Sequence, residues 1–305
     1  MTETIGFIGL GNMGLPMCLN LIESGFDVVA FDLRSEPVAE AVAAGGRTTD
    51  SVAQVAAEAD ILLTSLPRPD HVAAVMRDGG ALAALRPGSL WADLTTNRRE
   101  FVAELAAEAP EGVTVVDSPL TGAVDGARNK RLTLFAGGSD PDLDRVVPVL
   151  ENLGRVIRCG PLGAGNVVKL VTNQLWFIHA ASIGEGFALG MANGVELPVL
   201  YDAICDSVGD SFVARHDGPS IFAGHYDPSF TLDLCLKDLG LVRELESNLD
   251  APLVMTAAAH GVFEDAAERF GRDVGELHVA KRLEDDNQLS FRMEGDWTAP
   301  WDVTD

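Results

Sequence analysis

Short apolar runs alternate with amphipathic segments over the first half of the chain. The runs end at glycine or polar residues and predict buried strands, which lie at residues 5–8, 27–31, 61–63, 89–92, 113–116 and 132–135. The segments between them carry apolar residues at helical spacing and predict helices at residues 15–24, 36–44, 51–58, 70–76 and 99–108. Strands that alternate with helices predict an α/β fold, in which a mainly parallel sheet is covered on both faces.

The pattern changes after about residue 160, where the strand-like runs cease. Residues 165–193 contain few helix breakers and predict one long helix, about 40 Å in length if it is continuous. Shorter helices are predicted at residues 197–208, 237–248, 252–270 and 273–285, and loops at Asp217-Gly218-Pro219 and Asp227-Pro228. We therefore predict an α/β domain over residues 1–162 and an all-α domain over residues 163–305, joined by the long helix.

A glycine-rich turn follows the first predicted strand and opens the first predicted helix. Its sequence, Gly9-Leu10-Gly11-Asn12-Met13-Gly14, has the G-x-G-x-x-G spacing of dinucleotide-binding turns. Gly9 permits the tight turn, Gly11 lets the backbone approach the pyrophosphate, and Gly14 lets the helix pack closely on the strand. The N–H groups at the start of the helix would bind the phosphates. These six residues predict a dinucleotide site on a Rossmann-type βαβ unit.

Asp32, Leu33 and Arg34 follow the second predicted strand, and we assign all three to the same cofactor site. An acidic residue at this place accepts hydrogen bonds from the ribose hydroxyls and repels a 2′-phosphate, so Asp32 favours NAD. Arg34 is long enough to reach a 2′-phosphate, which leaves NADP open as the alternative.

The net charge of −24 narrows the classes of partner. A strongly acidic chain disfavours nucleic acid and anionic membrane surfaces, whereas a small anionic substrate is compatible with a locally positive site. The sequence shows no unbroken apolar run long enough for a membrane span and no basic leader segment, so it predicts a cytoplasmic protein. The cysteines are scattered without metal-ligand spacing and predict inert thiols and no metal site: Cys18, Cys159, Cys205 and Cys235.

Lysine is rare among the 22 basic residues, most of which are arginine. Arginine stays protonated, whereas a buried lysine can release its proton, so each lysine is a candidate for proton transfer. The lysines are Lys130, Lys169, Lys237 and Lys281.

Four segments in a fixed order carry a family resemblance. They are Gly9–Met17 (GLGNMGLPM), Asp117–Ala123 (DSPLTGA) with Gly126-Ala127, Gly163–Asn173 (GAGNVVKLVTN) and Phe230–Leu239 (FTLDLCLKDL). In this order, and to about residue 285, the chain resembles the β-hydroxyacid dehydrogenases, the family of 3-hydroxyisobutyrate and tartronate semialdehyde reductases. The resemblance implies an NAD(P)-dependent oxidoreductase that acts on small 3-hydroxy carboxylic acids.

The resemblance also extends the cofactor site. Leu66-Pro67 resembles the pair of residues that lines the cofactor in the family. Asp93-Leu94-Thr95-Thr96 resembles the family's D-x-[ST]-[ST] segment, whose last residue, here Thr96, touches the cofactor. Lys237 takes the place of a lysine that approaches the cofactor. A different reading of Thr95 and Thr96 is a helix N-cap, and both roles can coexist.

The substrate residues implied by the resemblance are Ser118, Thr121, Gly122 and Ala123, in a loop that would hold a carboxylate. This chain has Thr121 where the family has Ser, and Ala123 where it has a second Gly. Lys169 takes the catalytic position, and Asn173 lies one helical turn further on the same face. Both are also assigned to the substrate site. Lys130 and Lys281 match no family position and are interpreted as solvated.

The implied reaction is hydride transfer between a 3-hydroxy carboxylate and NAD, with Lys169 as the general acid/base and Asn173 orienting the substrate hydroxyl. One alternative is an imine or related reductase on the same scaffold. A second is a dinucleotide-binding protein without turnover. A 6-phosphogluconate dehydrogenase is disfavoured, because no His-Asn-Gly segment follows Lys169.

The long apolar helix and the helical second half predict a homodimer or homotetramer, which the resemblance also implies. The last residues, 286–305, include Trp297, Pro300 and Trp301 and leave two interpretations open. They form either a loose tail or an arm that packs on a partner subunit.

Overall fold

The computed structural model describes residues 3–295 and residue 297 of the chain. The chain divides into two compact units, and the division falls between Lys169 and Leu170. The residues before this point form unit 1, which holds all the strands of the described residues, and those after it form unit 2, which is helical.

Unit 1 is built on a single sheet. The strands are β1 (Thr4–Ile8), β2 (Asp27–Phe31), β3 (Arg47–Thr48), β4 (Ile61–Thr64), β5 (Leu90–Asp93), β6 (Thr114–Asp117), β7 (Leu120–Thr121), β8 (Leu132–Gly137) and β9 (Gly154–Gly160). Their order is β3-β2-β1-β4-β5-β6-β8-β7, with β9 paired to β8. Strands β1 to β6 are parallel, while β8 is antiparallel to β6 and β7 and parallel to β9. The predicted mainly parallel sheet is therefore confirmed.

Helices cover both faces of this sheet, and a separate apolar core lies on each face. They are α1 (Gly14–Glu23), α2 (Ser35–Ala43), α3 (Val52–Glu58), α4 (Pro69–Ala73), α5 (Ala81–Ala84), α6 (Arg99–Glu108), α7 (Ala123–Arg128) and α8 (Asp140–Leu150). A π-helical turn, Ala74–Asp78, continues α4. The central strands β1, β4 and β5 are buried along almost their whole length, as expected for parallel strands between two helical layers.

Helix α9 (Ala164–Ala192) is continuous, as the sequence predicts, and it crosses the division between the units. Unit 2 continues with α10 (Leu197–Cys205), α11 (Gly218–Ala223), α12 (Leu232–Glu246), α13 (Val254–Phe270) and α14 (His278–Asn287). In its core Phe177 and Phe187 of α9 are fully buried. Gly184 of α9 lies against α14, since a Cβ there would be 3.0 Å from Cα of Ala280.

The prediction of a loop at Asp217-Gly218-Pro219 is wrong. A π-helical turn, Val213–Asp217, runs directly into α11, and Pro219 lies in the first turn of that helix. Proline is tolerated there because its missing N–H would have no partner within the helix. The second predicted loop, at Asp227-Pro228, is observed.

Helix α9 is also, by length and composition alone, long and apolar enough to cross a membrane, with a mean hydropathy of 1.2 over its 18-residue window. A single such helix is a weak indication, because the core helix of a globular protein passes the same test. Part of its apolar surface, including Phe177 and Phe187, lies in the core of unit 2.

The C-terminal segment packs on unit 2 as far as it is described. Phe291 is fully buried, the Arg292 side chain donates to the carbonyl of Ile221 at 2.6 Å, and Trp297 Nε1 donates to the carbonyl of Met293. Residue 296 and residues 298–305, on which the interpretation as tail or arm also depends, lie outside the described residues.

Candidate active site

The glycine-rich turn is closely packed at its two ends and open in the middle. Gly9 adopts φ +97°, and a Cβ there would lie 2.2 Å from the carbonyl oxygen of Ser65. A Cβ at Gly14 would lie 1.9 Å from the carbonyl oxygen of Gly9, so helix α1 and the turn are in closest contact there. A Cβ at Gly11 would meet nothing within 4 Å. The turn therefore leaves open space at Gly11, and α1 begins without a side-chain cap at Met13, which suits a pyrophosphate at its N-terminus.

Asp32 is fixed beside this turn. Its carboxylate accepts the N–H of Leu10 at 2.7 Å and pairs with Arg34 at 3.1 Å. Burial opposes ionisation, but the hydrogen bonds from Arg34 and Leu10 outweigh it and lower the pKa of Asp32. Arg34 also donates to the carbonyl of Leu10 at 2.8 Å. Asp32 is thus an ionised acceptor at the end of β2, while Leu33 beside it is fully exposed.

The loops after β4 and β5 are joined next to the turn. The N–H of Leu66 donates to Thr95 Oγ1 at 3.1 Å, with Pro67 following in the exposed part of the loop and Thr96 half-buried. The interpretation of the two threonines as a helix N-cap is wrong, because α6 begins at Arg99 with Arg98 at its N-cap. Thr95 instead accepts a hydrogen bond that links the two loops.

The substrate candidates lie in the segment that runs from the end of β6 through β7 to the start of α7. Ser118 is fully buried and its N–H donates to the carbonyl of Asp93 at 2.7 Å. Thr121 lies in β7, opposite Thr133 of β8, and Gly122 with φ +124° precedes α7. Ala123 adopts φ +54°, a left-handed conformation that favours glycine. At Ala123, one of the two positions where this chain departs from the family motif, the backbone therefore prefers the family's glycine.

Two fully buried carboxylates lie at the ends of β5 and β6 and were not assigned a role from the sequence. Burial is the largest influence on both, and it raises the pKa of Asp93 and the pKa of Asp117 to about 6. Hydrogen bonds to each carboxylate oppose this rise, and the charge of Asp93 adds to it at Asp117. Both residues stand at the first position of a motif, but the neighbouring sequence did not indicate that their side chains would be buried.

The variant Asp93→Asn tests this burial. Because the folded-state pKa lies above the ordinary value of 3.8, Asp93 stabilises the fold below that value, and the contribution is lost as pH rises through about 6. An amide stays neutral, so the free energy of unfolding of the variant relative to wild type should rise by about 1–2 kcal/mol between pH 5 and pH 8. Urea unfolding at several pH values measures it.

The side chain of Asn97 can accommodate the amide that replaces the carboxylate in Asp93→Asn. Its Nδ2 donates to Asp93 at 2.6 Å, while its Oδ1 is buried without a hydrogen-bond partner in the described residues. After a flip, that oxygen can accept from the new amide. A difference in stability that stays constant with pH would contradict the assignment.

Lys169 and Asn173 lie one turn apart on α9, and both are at least nine-tenths buried. Asn173 Nδ2 donates to Asp238 Oδ2 at 2.7 Å, and the other oxygen of Asp238 pairs with Lys237 Nζ at 2.7 Å. The Lys237 and Asp238 side chains are 9% and 3% exposed. Asp238 therefore joins Asn173 of α9 to Lys237 of α12, a role that its position in the fourth motif did not reveal.

The other two lysines lie on the surface, in ion pairs with acidic side chains. Lys130 pairs with Glu23, and Lys281 pairs with Asp285 one helical turn away. Such exposed pairs contribute little to stability.

Two family models together match residues 4–283 of the chain. A family model described as the NAD-binding domain of 6-phosphogluconate dehydrogenase matches residues 4–163. A second, described as NAD-binding of NADP-dependent 3-hydroxyisobutyrate dehydrogenase, matches residues 163–283. The two models meet at residue 163.

Several curated relatives are similar over most of the chain. The 2-(hydroxymethyl)glutarate dehydrogenase of Eubacterium barkeri is 37% identical over 88% of this chain and 91% of its own length. The 3-hydroxyisobutyrate dehydrogenase of Pseudomonas aeruginosa is 33% identical over 93% of this chain and 100% of its own. A solved structure of the Mycobacterium tuberculosis 3-hydroxyisobutyrate dehydrogenase with L-serine has a TM-score of 0.83 at 32% identity, covering 93% of this chain and 99% of that one.

Proposed function

The chain belongs to the β-hydroxyacid dehydrogenase family of NAD(P)-dependent oxidoreductases, and we propose that it transfers a hydride between NAD and a small 3-hydroxy carboxylic acid or its semialdehyde. The observation that carries the proposal is the buried Lys169 one turn before Asn173 on α9, in a chain that also holds the glycine-rich turn. A lysine enclosed in this way suits proton exchange with a substrate hydroxyl.

In the oxidation direction the carbinol carbon loses a hydride and the hydroxyl loses a proton, which leaves a carbonyl. The nicotinamide of a bound NAD would accept the hydride. The neutral amine of Lys169 takes the hydroxyl proton, and in the reduction direction the ammonium returns it. We assign Asn173 to orient the hydroxyl, with its own amide held by Asp238 at 2.7 Å.

We assign the carboxylate of the substrate to the loop that contains Ser118, Thr121, Gly122 and Ala123. The buried hydroxyl of Ser118, which has no hydrogen-bond partner in the described residues, and the N–H groups around Gly122 suit an anion. We assign Lys237 to the cofactor site on the resemblance of the fourth motif, together with the residues of the turn and Leu66, Pro67 and Thr96.

The test is the change of absorbance at 340 nm with NAD⁺ and a panel of 3-hydroxy acids, beside NADH and a panel of cyclic imines. The proposal expects turnover of at least one 3-hydroxy acid and none of the imines. Turnover of imines alone would favour the imine reductase alternative. Binding of NADH without turnover of any acid would favour a non-catalytic protein.

NAD is the proposed cofactor, with NADP as the weaker one, because Asp32 presents an ionised carboxylate beside the turn. The variant Asp32→Asn removes that charge and keeps an acceptor for the N–H of Leu10. Hydrogen bonds to charged groups contribute about 1.5–3 kcal/mol, so the ratio of kcat/KM for NAD⁺ over NADP⁺ should fall by about 10- to 100-fold.

Steady-state kinetics with both cofactors measure this ratio. The matched control is Asp27→Asn at the exposed start of β2, where the ratio should stay as in wild type. A ratio unchanged in Asp32→Asn would contradict the role given to Asp32.

We propose a homodimer or homotetramer, on the basis of an exposed apolar stripe along α9. Val171, Leu175 and Leu189 are 47%, 52% and 69% exposed and lie on one face of the helix, because they are separated by whole turns. That face is opposite the one buried in unit 2. Light scattering should give a mass of at least twice 32.3 kDa, and a monomeric mass would contradict the proposal.

We also propose that the protein works in the cytoplasm. The four cysteines are free thiols, and three of them are buried, in keeping with a reducing compartment. Burial raises the pKa of Cys18 to about 12, which leaves it inert.

A further inference from the structure

The N-terminus of α9 is held by side chains from the sheet of unit 1. Asp117, at the end of β6, accepts the N–H of Gly163 at 2.6 Å and the N–H of Asn166 at 2.7 Å. These are two of the N–H groups that have no partner within a helix at its first turn. A carboxylate from a neighbouring strand therefore caps the helix that carries Lys169.

Asn166 fastens the same turn through its side chain. Its Nδ2 donates to Asp117 at 3.0 Å, and its Oδ1 accepts the N–H of Asn97 at 2.6 Å. Asn166, Asn97 and Asp117 are all fully buried. The helix is thus linked both to the end of β6 and to the loop after β5.

The network continues to the segments assigned to the cofactor. Asn97 donates to Asp93, which also accepts from Thr64 Oγ1 at 2.9 Å and from the N–H of Thr95 at 3.1 Å. Thr95 in turn accepts the N–H of Leu66. Buried hydrogen bonds therefore connect the first turn of α9 to the loops after β4 and β5.

Close packing leaves this turn little room to move. A Cβ at Gly165 would lie 2.0 Å from the carbonyl oxygen of Phe135, and a Cβ at Gly137 would lie 2.4 Å from Asp117 Oδ1. The helix backbone is therefore in contact with β8 at the point where Asp117 caps it. Asn166 is three residues before Lys169, so the rigid helix transmits any displacement of the first turn to Lys169.

We propose that Asn166 and Asp117 are positioning residues, which set the place of Lys169 by holding the first turn of α9 against the ends of β5 and β6. The inference rests on the proposed role of Lys169 as the general acid/base. The buried hydrogen bonds that Asn166 and Asp117 make are directional and specify one geometry, whereas an apolar contact would let the helix shift. A misplacement of about 1 Å at a reacting group can reduce turnover by about 100-fold.

The test is a double-mutant cycle with Asn166→Ala and Lys169→Ala. Asn166→Ala should lower kcat by about 10- to 100-fold, with the Kd for NADH changed by less than about threefold. If Asn166 acts through Lys169, the double variant should be no slower than Lys169→Ala alone. Amides of the first turn of α9 should also exchange hydrogen faster in Asn166→Ala.

Three results would overturn the proposal. They are wild-type kcat in Asn166→Ala, a loss that adds in full to that of Lys169→Ala, and a loss explained by weaker NADH binding. Wild-type turnover in Lys169→Ala is a different failure, because it removes the proposed role of Lys169 itself and the positioning proposal with it. The control Arg145→Met breaks three hydrogen bonds at the amino ends of the central strands, away from the first turn of α9, and should lower stability without lowering kcat.

A second variant, Asn166→Asp, serves if Asn166→Ala does not fold, since it keeps the size and the acceptor oxygen. It places a carboxyl group against Asp117. The other titratable or charged side chains near this point are Asp93 on β5, Cys159 on β9 and Arg99, whose aliphatic carbons lie against Gly163. The two carboxyl groups repel when both are ionised and share a hydrogen bond when one holds a proton. The ratio of its kcat to that of wild type should therefore rise as pH falls from 8 to 6, and a flat ratio would overturn the proposal.

Discussion

Replacement of Lys169 by Ala is expected to lower kcat by about 10²- to 10⁴-fold, the range typical of a lost general acid/base. The side chain is buried on α9, one turn before Asn173, and under the proposed function it exchanges the proton of the substrate hydroxyl. The binding of NADH should change little, because the assigned phosphate and ribose contacts lie in the turn and at Asp32. Steady-state kinetics and NADH titration measure the two quantities.

Two further variants show whether the loss of activity comes from lost proton transfer, from the lost positive charge, or from the loss of any lysine. Lys169→Arg keeps a positive charge but cannot release its proton, so its kcat should also stay far below wild type. Lys281→Ala removes an exposed lysine paired with Asp285 and should keep wild-type kcat. If Lys169→Arg and Lys169→Ala both retained near wild-type turnover while folded, proton transfer would have to come from another group.

Asp238→Ala is expected to lower the free energy of unfolding by about 3–5 kcal/mol, because it leaves the buried ammonium of Lys237 without its carboxylate partner. The same change removes the acceptor that holds Asn173 at 2.7 Å. It should therefore also lower kcat. Urea unfolding followed by circular dichroism measures the stability.

The matched control is Asp233→Ala on the same helix, where the carboxylate is exposed and lies 3.4 Å from Arg272. Exposed pairs contribute about 0–1 kcal/mol, so this variant should unfold almost as wild type does. Replacing both buried partners, Lys237→Met with Asp238→Leu, should restore much of the stability lost in Asp238→Ala. Equal losses in Asp233→Ala and Asp238→Ala would contradict the account of the buried pair.

The regular part of the fold followed from periodicity. The run at residues 27–31 and the breaker-poor stretch at 165–193 predicted β2 and α9 to within one residue, because burial on both faces and helical spacing leave strong local patterns. Strand β9 was not predicted, since its sequence, GRVIRCG, mixes arginine with apolar residues and is only partly buried. Helix α8 was also missed, although Ser139 caps it by accepting the N–H of Asp142.

Some residues of the candidate site could likewise be predicted from the local sequence, and others could not. The glycine-rich turn and Asp32 could be predicted because their spacing is local and each residue type has a physical reason. The roles of Asp117, Asn166 and Asp238 could not, because their partners lie 46 to 69 residues away in the chain. Such contacts are set by how the elements pack, which no local pattern records.

Isotopic labelling follows the proposed hydride transfer directly. A 3-hydroxy acid that is turned over is labelled with deuterium at its carbinol carbon, incubated with NAD⁺ and the protein, and the reduced cofactor is analysed by mass spectrometry and NMR. Hydride transfer from the carbinol carbon predicts that the deuterium appears at C4 of the nicotinamide and that kcat falls when the transfer limits the rate. Reduced cofactor without deuterium, or no reduction with any 3-hydroxy acid, would contradict it.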